Sequence, residues 1–119
     1  MTRWPILACS IAAGCGAGAL GPASVRLGED ACAHCRMTIV STKTAAQIVS
    51  PGAEPIFFDD LGCFEEFRST TTLAPGAVAF VIDRGSSAWI DAHEAVITRT
   101  SEQTPMGSGL VATRRAGTP

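Results

Sequence analysis

Apolar and polar positions fall into short blocks, and the clearest begin at residue 45. Ala45-Ala46-Gln47-Ile48-Val49 is a strand-like run closed by the turn signal Ser50-Pro51-Gly52. Pro55-Ile56-Phe57-Phe58 is a second run, so residues 51–54 read as the loop of a hairpin. The period then changes. Leu61, Phe64, Phe67 and Arg68 recur at helical spacing, which predicts a helix over residues 61–69. Asp59 and Asp60 offer its N-cap, and Glu65 and Glu66 fall off its apolar face. A third strand is expected over residues 77–82, ended by Asp83-Arg84-Gly85-Ser86-Ser87. A fourth, within residues 88–98, carries both Trp89 and His93. Residues 101–109 are polar and turn-rich, yet contain Met106. Strand, strand, helix, strand, strand is the order of a small α+β domain, a mostly antiparallel sheet with one helix packed on it.

The start of the chain reads as an address. Arg3 supplies a positive charge, residues 4–13 are mostly apolar, and Ala12, Ala13 and Gly14 precede Cys15. The apolar run is shorter than the about 20 residues a bilayer span needs. Small residues directly before a cysteine predict a lipoprotein-type signal peptide, residues 1–14, with Cys15 lipidated. An ordinary signal cut near residues 17–23 is the competing reading, and Cys9 follows too short an apolar stretch to serve. Residues 15–28 then form the lipidated cysteine and a flexible tether rich in Gly, Ala and Pro. Residues 29–112 form the folded domain and residues 113–119 a polar tail. The expectation is an exported protein, anchored to the bacterial membrane by its lipid and facing the periplasm.

Charge narrows the partners. Nine Lys and Arg stand against eleven Asp and Glu, a net charge of −2, with no basic cluster beyond Arg114-Arg115. A nucleic-acid partner is not expected. No Ser/His/Asp grouping or phosphate-cradling Gly loop suggests an enzyme.

The chemistry concentrates in Cys32-Ala33-His34-Cys35-Arg36-Met37. With Cys9 in the signal and Cys15 acylated, Cys32, Cys35 and Cys63 remain, an odd number. An oxidising compartment pairs cysteines, so the unpaired one calls for a reason, and metal ligation is one. A structural zinc site would want a second closely spaced pair, and Cys63 and His93 each stand alone. A thioredoxin-like pair would open a helix, whereas Thr38-Ile39-Val40 is β-branched and favours a strand. A Cys32–Cys35 disulfide is a further alternative. Thiolate and thioether are soft donors that select Cu(I). On an extended segment Cys35 and Met37 would share a face. Met106, in a Pro-Met-Gly turn, has little to pack against. Cys32, His34 and Cys63 are auxiliary candidates, with packing an equal explanation for Cys63 and solvent exposure the simpler one for His34. Asp59 and Asp60 read as caps, carboxylates being poor Cu(I) ligands. Trp89 reads as core and His93 as structural or exposed.

Five blocks in order carry a resemblance: Cys32-Ala33-His34-Cys35-Arg36-Met37, Ala46-Gln47-Ile48, Phe57-Phe58-Asp59-Asp60-Leu61-Gly62-Cys63, Trp89-Ile90-Asp91-Ala92-His93-Glu94-Ala95 and Pro105-Met106-Gly107. Together they are similar to the NosL family, copper-binding lipoproteins that assist maturation of nitrous oxide reductase. The resemblance spans residues 29–112. It implies a metallochaperone that binds Cu(I) and delivers it to that reductase or to other copper-assembly proteins, and that is not itself an enzyme. It assigns Cys35 and Met37 to the family's Cys-Gly-Met element and Met106 to its Pro-Met-Gly element, which makes these three the metal ligands. The alternatives are a thiol-disulfide protein and an exported protein-binding domain stapled by zinc or a disulfide. Three departures bear on the site. Arg36 stands where the family has Gly, and a positive φ there would strain the loop. Phe64 stands where the family often has Met. The family continues with a further helix and strand beyond Pro-Met-Gly, so the second unit reads as truncated.

Overall fold

The computed structural model describes residues 20–117. The expected signal peptide, the Cys15 lipidation site and the first part of the tether lie outside the described residues. The fold is α+β, a small antiparallel sheet with one helix packed on it. Strands β1 (Ala46–Val49), β2 (Ile56–Phe58), β3 (Val78–Ile82) and β4 (Trp89–Asp91) form a sheet of order β2-β1-β3-β4, with helix α1 (Leu61–Thr70) between β2 and β3 in sequence. Strands β5 (Ala95–Arg99) and β6 (Leu110–Arg114) pair antiparallel as a second, two-stranded sheet.

Local chemistry accounts for most of these elements. The β1–β2 hairpin turns through Gly52, whose φ of 70° suits a residue without Cβ. Asp60 caps α1 by accepting the Gly62 N–H at 2.7 Å. The helix buries Leu61, Cys63 and Phe64 against the sheet, and Phe58 meets Phe64 edge-on at 5.7 Å and Phe67 at 5.1 Å. Phe58 and Phe64 are wholly buried, each contributing about 1.5–3 kcal/mol by removal from water. Arg68 lies 4.8 Å from the Phe64 ring centre and closes that edge of the core.

Three sequence expectations change. The strand predicted to carry both Trp89 and His93 is broken: the Asp91 carboxylate accepts the His93 N–H at 2.8 Å and starts a 3-10 turn, Ala92–Glu94, that redirects the chain into β5. Trp89 is half-buried and His93 exposed. Residues 113 and 114, read as polar tail, belong to β6; their main chain pairs with β5 while Val111 and Ala112 supply the buried face. The 15–28 tether is partly held in place. Gln47 is fully buried on β1, and its amide, which cannot be left unpaired there, accepts from Ala23 N–H at 2.8 Å and donates to Ala23 C=O at 3.0 Å. Among the described residues no helix is long and apolar enough to cross a membrane.

Candidate metal site

The Cys32–Met37 segment is a tight turn, not an extended strand. Ala31 and Thr38 pair across its base, Cys32 N–H donates to Met37 C=O at 2.8 Å, and Arg36 N–H donates to Cys32 C=O at 3.0 Å. Ala33 N–H donates to Phe57 C=O at 2.8 Å, which pins the turn to the outer edge of β2. The turn closes through Arg36, whose φ is 70°. The strain expected from Arg where the resembled family has Gly is therefore present, at about 1–2 kcal/mol for a non-Gly residue in the left-handed region.

This turn points sulfur inward. The Sγ atoms of Cys32, Cys35 and Cys63 and a carboxylate oxygen of Asp59 all lie within 4.8 Å of one another. Each comes from a different local device. Cys32 precedes the turn and is fully buried, Cys35 sits half-buried on it, Asp59 ends β2, and Cys63 lies in the first turn of α1, 4% exposed. All three cysteines are free thiols. The Cys35 thiol donates to Asp59 Oδ1 at 3.4 Å, and the Asp59 C=O accepts from the Thr44 hydroxyl at 3.1 Å, so the carboxylate is held from behind.

A cavity of about 340 Å³ opens beside the cluster, lined by His34, Cys35, Gly62, Cys63, Glu66, Met106 and Ser108. Met106 thus joins Cys35 and Cys63 from a segment more than forty residues away in sequence. His34 does not reach inward; its Nε2 meets Glu66 Oε2 at 3.2 Å at the rim. Met37 is 52% exposed and is not among the residues lining this cavity. The shared face expected for Cys35 and Met37 required an extended Arg36, and the left-handed Arg36 removes it.

Asp60 explains how Met106 arrives. Its Oδ1 accepts from Gly62 N–H and from the Ser108 hydroxyl, and its Oδ2 accepts from Met106 N–H at 2.8 Å. Burial pushes the Asp60 carboxyl up, but hydrogen bonds from Ser108, Thr104, Met106 and Gly62 outweigh it and hold the group below its ordinary value. The thiols behave oppositely. Burial raises Cys35 and Cys63, and the neighbouring sulfurs raise them further.

Asp59 is the member of the cluster that sequence reasoning missed. Its position before the N-cap looked sufficient explanation, and the available signal was its adjacency to a cap residue only four positions from Cys63. A buried set of three thiols and one carboxylate, with a thioether in the adjoining cavity, can hold a metal ion. Compared with known protein families, characterised proteins and solved structures, the chain matches none.

Proposed function

We propose that this chain is a membrane-anchored Cu(I)-binding metallochaperone that supplies copper for maturation of nitrous oxide reductase. The observation that carries the reading is the convergence of the Cys32, Cys35 and Cys63 sulfurs within 4.8 Å, with Met106 lining the adjoining cavity. Soft donors in that number suit Cu(I), which takes few ligands and prefers sulfur. Copper is the cargo. Cys35, Cys63 and Met106 would hold it from the cavity side, Cys32 from beneath, and Asp59 would accept the proton-side contact of Cys35 and orient its sulfur.

The open cavity suits delivery, because a recipient's thiolate or thioether can approach the half-buried Cys35 and displace donors one at a time. The raised thiols suit a carrier better than a thiol-disulfide catalyst, whose attacking cysteine works as a low-pKa thiolate. Export, the Cys15 anchor and the identity of the recipient rest on the sequence resemblance.

One observation favours a second reading. The Asp59 carboxylate completes a three-sulfur, one-oxygen set, and zinc accepts such mixed tetrahedral ligation. The test is an anaerobic titration of the reduced protein with Cu(I) against a competing chelator, beside a zinc titration, in wild type, Cys35→Ser and Met106→Leu. The copper reading predicts tight one-to-one Cu(I) binding weakened by both changes. Zinc bound more strongly under matched competition, with Met106 dispensable, would replace it with the structural-zinc reading.

A further inference from the structure

We propose that Asp60 is a positioning residue for Cu(I): it holds Met106 over the thiol cluster by clamping the 104–109 loop onto the first turn of α1. The inference rests on the copper reading above. A helix cap needs one bond, and Asp60 makes that bond to Gly62 N–H. Its other bonds reach across the fold, to Met106 N–H and the Ser108 hydroxyl, 46 and 48 residues away. The carboxylate is wholly buried, so its bonds are not shared with bulk water.

The loop arrives as a preformed unit. Gly107 N–H donates to Thr104 C=O at 2.9 Å, Gly109 N–H to the Thr104 hydroxyl at 3.1 Å, and Thr100 N–H to Gly109 C=O at 2.8 Å. These bonds fix its shape, and Asp60 fixes its place on α1. The seat is close. A Cβ on Gly62 would lie 2.8 Å from Ser108 Cβ and 3.0 Å from Asp60 Oδ1, so glycine at this position lets the loop settle against the helix. Met106 itself is 48% exposed, so packing contributes little to where its thioether sits. The backbone bond to Asp60 does that instead.

Asp60→Asn is the sharp variant. It exchanges one acceptor oxygen for an NH2 donor, so either Gly62 N–H or Met106 N–H loses its acceptor whichever way the amide turns. The experiment is a mutant cycle on the full reduced chain, with Cu(I) affinity measured by chelator competition and folding checked by circular dichroism. Asp60→Asn should weaken Cu(I) by about 10- to 100-fold, the range for residues that orient metal ligands. Met106→Leu should cost a similar factor, and the double variant no more than the worse single. Cys35→Ser combined with Asp60→Asn should instead lose more than either alone. Gly62→Ala, which displaces the loop while keeping the carboxylate, should likewise abolish the effect of Met106→Leu; it carries the test if Asp60→Asn does not fold.

Additive losses from Asp60→Asn and Met106→Leu, or unchanged affinity in folded Asp60→Asn, would overturn the positioning role. Wild-type binding that needs the cysteines but ignores Met106→Leu would also overturn it, and would leave the copper reading standing. A folded wild type that binds no Cu(I) would remove the copper reading, and the positioning role with it.

Discussion

Two loops meet at the sulfur cluster, and they are held by different means. The Cys32–Met37 turn is closed by main-chain bonds: Cys32 to Met37, Arg36 to Cys32, and Ala33 to Phe57 on β2. The loop around Met106 is docked through a side chain, the Asp60 carboxylate. The first loop places Cys32 and Cys35 against Cys63 as firmly as the sheet edge itself. The second brings a thioether whose position depends on one buried acid. A site meant to take up an ion and give it away gains from that division, because the fixed donors hold while the adjustable one yields.

Gly109→Ala should break the second loop and leave the first intact. Gly109 has a φ of 70°, and a Cβ there would lie 2.5 Å from the Thr100 carbonyl oxygen. Left-handed strain and overpacking together predict a loss of about 4 kcal/mol, read from the urea midpoint at constant slope. A loss confined to a few tenths would mean the loop is not closed as described.

Within the site, Cys63→Ser should weaken Cu(I) by at least about 100-fold, above the upper end for orienting residues. Met37→Leu should change it by less than Met106→Leu does, because Met37 stands outside the cavity. Equal losses at the two methionines would mean that the turn reorganises around the metal.

Acid should act on the two loops unequally. The folded-state value of Asp60 is depressed below 3.8, so its contribution is fully present above that value and is lost as pH falls through the lower folded value. Stability of the metal-free protein should therefore fall with pH in that acid range, and Asp60→Asn should flatten that part of the profile. A wild-type and Asp60→Asn pair with parallel acid profiles would contradict the role given to the carboxylate.

The smallest effect belongs to the turn. Arg36→Gly relieves the left-handed strain but adds freedom to the unfolded chain, for a net gain of about 0.5–1 kcal/mol. Cu(I) affinity should hold, since the closing bonds are all main-chain. A destabilised Arg36→Gly would show that the Arg side chain contributes contacts that outweigh its strain.

Much of the scaffold was legible in the sequence because it is locally encoded. The turn at Ser50-Pro51-Gly52, the helical spacing of Leu61, Phe64 and Phe67, and the capping acid Asp60 each act over a few residues. What escaped depends on distant partners or on a single side chain. The break after β4 hangs on Asp91 folding back onto His93 N–H, and β6 is a strand because β5 is there to pair with it. Cys35 and Met37 seemed to share a face because β-branched residues follow them, yet strand preference at residues 38–40 does not extend back through the left-handed Arg36. Gathering Cys63 and Met106 around Cys35 required the register of α1 and the reach of Asp60, neither of which spacing reveals. Asp59 was visible only as a neighbour of the cap.

The most direct test is X-ray absorption at the copper edge on the anaerobically loaded chain. The account predicts a single Cu(I) with a first shell made of sulfur alone, losing one sulfur in Met106→Leu. A shell containing oxygen or nitrogen in place of that sulfur, or a folded protein that retains no copper, would contradict it.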